Sequence, residues 1–245
     1  MNVTHARGDR GMIEAARRVY GLPVPLAWTI AAFPVVMALV FETLIALPST
    51  HGYAMRLQLE DRMVENFTAI AYGIAAMLAL VHAIGAWRRG ARAGALWSLA
   101  AGFVCFVLGG EEIEWGERWL KFRIPDLILR HNVQHEFTVH NLGPLQDLNW
   151  WYPFILGVIG AAAIVWHTRP RHDETGVPSL LLPWCIVFIV FSGYDNFTDW
   201  FPLNLHVDTI VAELTETVEM LVSFAFAIGI ALAMRRDRLR ARRAP

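Results

Sequence analysis

Six stretches of the chain, 22–47, 67–87, 93–110, 149–167, 178–194 and 210–234, run apolar with little charge, and polar residues gather between them. Each comes close to the roughly 17–25 residues that a helix needs to cross the hydrocarbon core of a bilayer. Lipid offers backbone amides no hydrogen-bond partner, and no short segments of alternating polarity suggest a membrane barrel, so the pattern predicts helices. The third and fifth stretches are the shortest and match a crossing least well. Small residues at Gly73, Gly85, Gly102, Gly157, Gly160 and Ala161 to Ala163 would let neighbouring helices approach closely. The expected architecture is an all-α, polytopic transmembrane bundle of six spans. It forms a single domain over residues 1–245, with one long polar loop at 111–148.

The polar boundaries give the bundle a direction. Arg7, Arg10, Arg17 and Arg18 precede the first span; Arg88, Arg89 and Arg92 follow the second; Arg169 and Arg171 follow the fourth; and Arg235, Arg236, Arg238, Arg240, Arg242 and Arg243 close the chain. With six spans these fall on one face, whereas five or seven would split them. The positive-inside rule makes that face cytoplasmic, which predicts a multi-pass protein of the inner (plasma) membrane with both termini inside. Tryptophans follow the same layout, with Trp28, Trp87, Trp97, Trp166 and Trp184 nearer the inner boundary and Trp115, Trp119, Trp150, Trp151 and Trp200 nearer the outer one. The polar N-terminal segment precedes an apolar run too long for a signal-peptide core, so the first span is expected to be retained.

Composition agrees with lipid as the solvent. The chain is 56% hydrophobic and 18% charged, below the roughly 25% charge of soluble domains, and its mean hydropathy is +0.40. A net charge of -1, with arginines only in short runs beside apolar segments, gives no basic face for nucleic acid. Cys105 and Cys185 both fall inside apolar stretches and read as small hydrophobes rather than a disulfide pair.

Candidate chemistry lies opposite the arginines. Of 22 acidic residues only Asp9, Glu14, Asp173, Glu174 and Asp237 fall on the arginine side. The third span runs into Gly109-Gly110-Glu111-Glu112-Ile113-Glu114-Trp115-Gly116-Glu117-Arg118, where a continued helix would place Glu111 and Glu114 on one face and Arg118 four residues beyond Glu114. Glu213, Glu216 and Glu219 recur at three-residue spacing inside the last apolar stretch, and Glu42 stands near the same level of the first. Carboxylates at membrane depth signal a functional site by default. In the long loop His131, His135, Glu136 and His140 are metal-ligand residue types; on a helix His131 would meet His135, and Glu136 would meet His140. The five-residue separation of His135 and His140 excludes the zincin arrangement. Asp195 and Asp199, four apart at the end of the fifth span, would need a proton or cation between them if they shared a face. Solvated helix ends, surface histidines and helix caps are the plainer readings of each feature alone; it is their convergence on one level that favours a site.

The stretch Gly110-Glu111-Glu112-Ile113-x-Trp115-Gly116-x-Arg118, followed by Asn132-x-Gln134-x-Glu136-x-x-x-His140-Asn141, resembles a group of uncharacterised bacterial polytopic membrane proteins. Their pattern reads GEEISWGQR, then NxQxExNLHN, then a last span opening with spaced glutamates. Glu114 and Glu117 stand here for Ser and Gln, and Thr138-Val139 for Asn-Leu. The resemblance implies that the loop and helix end form one site built on Glu111, Glu112, Trp115, Arg118, Gln134, Glu136, His140 and Asn141. It implies no reaction.

Three functions follow as expectations. The first is a metal-dependent hydrolase acting on a lipid or lipid-linked substrate. Glu112, Glu136, His140 and Glu216 would hold a divalent cation of zinc or iron type, Glu111 would move protons and Arg118 would hold substrate. Trp115, Gln134, Asn141, Asp195, Asp199, Glu213, Glu219 and His131 are further candidates. The second is a non-catalytic assembly or sensor protein. The third is a proton- or cation-coupled transporter using Glu42, Glu213, Glu216 and Glu219, to which His82 and His167 offer a weak exit. The bilayer is the one partner all three share.

Overall fold

The computed structural model describes residues 11–58, 63–132, 137–139, 142, 151–167, 177–198 and 214–243. Its helices are α1 (Met12–Tyr20), α2 (Val24–Ala46), α3 (His51–Gln58), α4 (Met63–Arg88), α5 (Arg92–Glu112), α6 (Glu117–Leu120), α7 (Asp126–His131), α8 (Tyr152–His167), α9 (Leu182–Thr198) and α10 (Thr215–Arg243). All six apolar stretches form helices, and no β-strand occurs among the described residues.

Five helical segments are long and apolar enough to cross a membrane: Val24–Ala46, His51–Arg88, Arg92–Glu112, Ser179–Phe197 and Thr215–Arg243. That fits a multi-pass membrane protein, but the expectation of six full spans is met only in part. The third and fifth stretches are extended by their neighbours, Glu111 and Glu112 at one and the 3-10 turn Ser179–Leu181 at the other. The short helix is the fourth instead. α8 has 16 residues, about 24 Å at 1.5 Å per residue, less than a hydrocarbon core. Large apolar side chains point outward along the spans, Met77 at 65% and Phe103 at 67% exposure, as lipid-facing residues must.

α4 and α5 pack along each other, and α10 packs against α4; α9 joins α8, α2 and α10. The α4–α5 seam depends on absent side chains. A Cβ on Gly102 would lie 3.0 Å from the Ala79 Cβ, and one on Gly109 would lie 3.0 Å from the Tyr72 Cβ, a seven-residue repeat on both helices. Gly157 and Gly160 do the same for α8 against Cys185 on α9, whereas Gly73 faces open space.

The α2–α9 contact is built on a backbone defect. Pro34 lies inside α2 and has no N–H to give the Ile30 carbonyl one turn back. Trp184 supplies the missing donor, its indole Nε1 reaching Ile30 O at 2.9 Å while its ring stacks on Phe33 with centroids 5.7 Å apart. Trp184 is 0% exposed, so it is a core residue rather than a member of the aromatic belt expected from sequence.

The N-terminal segment, expected to be a polar lead-in, contains the amphipathic helix α1. It buries Ala16 and Tyr20 beside Leu22, Ala27 and Leu232, and leaves Glu14, Arg17 and Arg18 exposed. Gly21, at φ 61°, ends it in the left-handed conformation, and the Arg235 guanidinium donates to the Tyr20 and Gly21 carbonyls. The arginine-bearing end of α10 is thereby tied to α1.

Candidate functional site

The end of α5 turns sharply. α5 stops at Glu112; Glu114, Trp115 and Gly116 follow with φ of 49°, 52° and 85°, three left-handed residues in a row. The Trp115 ring folds back over Gly110, where a Cβ would lie 2.9 Å from it. Glu111, only 7% exposed, accepts the Trp115 indole Nε1 at 2.6 Å with one oxygen and the Val139 backbone N–H at 2.6 Å with the other. The expected helix through Glu114 does not form, so Glu111 and Glu114 share no face, and the spacing from Glu114 to Arg118 is not a helical one. The Arg118 side chain lies outside the described residues.

A second carboxylate repeats the device. Glu117 accepts the Phe137 N–H at 3.1 Å, and Phe122 meets the Phe137 ring edge-on with centroids 5.2 Å apart. Asn132 is buried and donates from Nδ2 to the Thr138 carbonyl at 2.9 Å, and a β-bridge joins Asn132 to Leu142. Segment 137–139 is therefore held against the end of α5 by Glu111, Glu117 and Asn132. α7 ends at His131, which is exposed, and Asn132 is already extended, so the helix expected to carry His131 on towards His135 stops at His131. His135, Gln134, Glu136, His140 and Asn141 lie outside the described residues, as do Asp199 and Glu213.

Below this turn, four helices bring polar groups together. Tyr72 comes from α4, Tyr152 from the start of α8, Glu112 from the last residue of α5, and Glu216 and Glu219 from the first turns of α10. Glu219 is half-buried and hydrogen-bonded by the Tyr152 side chain; among the described residues its electrostatic neighbours include Glu216, Glu112 and Glu65 of α4, which are of its own sign. Tyr72 and Tyr152 both feel Glu219 and Glu112. The Tyr72 hydroxyl is wholly enclosed and makes no hydrogen bond of ordinary length and angle with any described residue, although Tyr152 lies close enough to interact with it. Next to Glu216, the buried Thr217 hydroxyl bonds the Gln58 side-chain oxygen at 2.9 Å, leaving Gln58 Nε2 without a described partner.

Glu112 and Glu216 thus interact electrostatically with Glu219, Asp195 is half-buried in the last turns of α9, and Glu42 is half-buried on α2. Among the described residues no three His, Cys, Asp or Glu side chains stand close enough to hold a metal ion together. The tyrosines and Glu65 escaped the sequence reading. Their signal was there, since Glu65 and Tyr72 are seven apart on one helical stripe of α4 that also buries Thr68.

The other end of α4, α5 and α10 carries a different polar group. His82 Nε2 lies 3.1 Å from Asp237 Oδ2 and its Nδ1 3.0 Å from Ser98 Oγ, which also donates to the Gly94 carbonyl at 2.8 Å. Arg236 and Arg89 reach the same aspartate at 3.2 and 3.5 Å. Between the two ends lies an apolar layer of Ala75, Cys105, Leu108, Phe226 and Ile230. No protein-family model, no curated protein and no solved structure matches the chain, so the likeness to the group of membrane proteins described above rests on residues 110–118 and 132–141 and the last span alone.

Proposed function

We propose that the chain is an inner-membrane protein with both termini in the cytoplasm, and that its acidic centre, at the outer face, serves a metal-dependent hydrolase acting on a lipid or lipid-linked substrate. The orientation is supported by the gathering of Arg17, Arg18, Arg88, Arg89, Arg92 and the α10 arginines at one end of the bundle. The observation that carries the chemical reading is the approach of Glu112, Glu216 and Glu65 to Glu219 beside the enclosed Tyr72 hydroxyl. Like charges at membrane depth call for a proton or a cation.

In this reading Glu112 and Glu216 hold a divalent cation of zinc or iron type, with Glu136 and His140 of the loop completing the ligand set. Such an ion supplies an acidified water. Glu219, which Tyr152 orients, would be the residue that accepts a proton at such a site. Glu111 takes a different part from the proton carrier expected of it. With both oxygens engaged, it positions 137–139 and so the segment leading to His140. Arg118 remains the candidate for a substrate phosphate or carboxylate. A cation-coupled transporter fits less well, because the apolar layer around Cys105 separates the acidic centre from the polar group at the other end.

The test is metal content and lipid hydrolysis of the purified protein against Glu112→Ala, Glu136→Ala and His140→Ala. Bound metal and turnover lost together in all three variants is the expected result. A wild type that stays metal-free after incubation with zinc or ferrous iron overturns the reading.

A further inference from the structure

α2 and α4 each lean on α10 but do not pack along one another, and the gap between them is a groove of about 280 Å³. It is lined only by apolar side chains: Met37 and Phe41 of α2, Met63, Val64 and Phe67 of α4, and Met220 and Phe224 of α10. Val64, Phe41 and Met220 are buried at its floor, while Met63 and Phe67 are exposed at its rim, where the bundle meets lipid. Along α10, Phe224, Met220 and Glu216 succeed one another at four-residue spacing on one ridge, so the groove rises into the acidic centre. Glu65 stands next to Val64 at the same level on α4.

We propose that this groove seats one acyl chain of the lipid on which the acidic centre acts, entering sideways between α2 and α4 with its linkage to the head group at Glu216. The inference rests on the hydrolase reading for its second half only. Three observations select the occupant. The lining has no polar atom to satisfy, which suits a hydrocarbon chain. The volume lies just under the roughly 300–1,000 Å³ of small-molecule sites and so suits one chain rather than a ring system or a whole lipid. Three of the seven lining residues are methionines, whose unbranched thioethers repack around a flexible chain.

The test uses the full chain in nanodiscs containing a phospholipid with a diazirine at mid-acyl position, irradiated and mapped by peptide mass spectrometry. The seat predicts adducts on Met37, Met63 and Phe67 at least about fivefold above those on Met77 and Phe103, which are as exposed or more so. Met63→Trp, at the exposed rim, lowers that enrichment and slows lipid hydrolysis while metal content stays unchanged. Glu216→Gln removes the metal and keeps the adducts. Equal labelling of groove and control residues, meaning ordinary bilayer contact only, overturns the seat even if the protein binds metal and hydrolyses lipid. Enriched labelling in a protein that binds no metal leaves the seat standing and removes the hydrolase.

Discussion

At the arginine end of α4, α5 and α10, one carboxylate, Asp237, meets His82, Arg89 and Arg236, and Ser98 ties His82 to α5. At the other end the same three helices bring Glu65, Glu112, Glu216 and Glu219 together with two tyrosine hydroxyls. The first arrangement is complete in itself, with cations around an anion and a hydroxyl filling the remaining valence. The second gathers carboxylates, and beside Glu112 the carboxylates of Glu111 and Glu117 hold segment 137–139 by its backbone amides. The contrast supports the proposal that function lies at the acidic end, without any appeal to which residues recur elsewhere.

Substitutions can break that contrast or sharpen it. The largest effect is expected from Glu111→Ala, which removes two charge-assisted hydrogen bonds at once and leaves the Trp115 indole and the Val139 amide unmatched. At roughly 1.5–3 kcal/mol for each bond the loss is about 3–5 kcal/mol, concentrated in the turn. Limited proteolysis should then cut near 137–139 while the spans stay intact. Asp237→Asn at the other end should cost about 2 kcal/mol or less, since its side chain is partly exposed and its partners are screened. Thermal unfolding in detergent reads that loss. Glu219→Gln should change the sign. Without added metal it removes one of several like charges and raises stability by on the order of 1 kcal/mol. Destabilisation by Glu219→Gln under those conditions would show that the two ends are built alike.

How far the sequence could be read follows from the same contrast. Helix positions were visible because apolar length is nearly all that a span requires; Glu216 and Glu219 were visible as charges inside such a run, and Glu112 as one just past the end of another. The turn after Glu112 was hidden, because three consecutive left-handed residues, two of them not glycine, are dictated by what Trp115 and Glu111 do together. Its cause was nevertheless written in Gly110, which leaves room for the ring. Trp184 was misplaced for a related reason: belt and core tryptophans look alike until Pro34, 150 positions away, is seen to leave a carbonyl without its donor. Tyr72 and Tyr152 passed as ordinary span residues, since a hydroxyl in an apolar helix shows its purpose only when its neighbours are known.

The central claim is that the acidic end is completed by a cation and the arginine end is not. Unfolding midpoints of the wild type, Glu216→Gln and His82→Ala, measured with and without zinc or ferrous iron, test it directly. A ligand bound only by the folded state at 100 times its Kd stabilises by about 2.7 kcal/mol. The account predicts such a rise for the wild type and His82→Ala and a much smaller one for Glu216→Gln. An equal rise in all three, or none in the wild type, would contradict it.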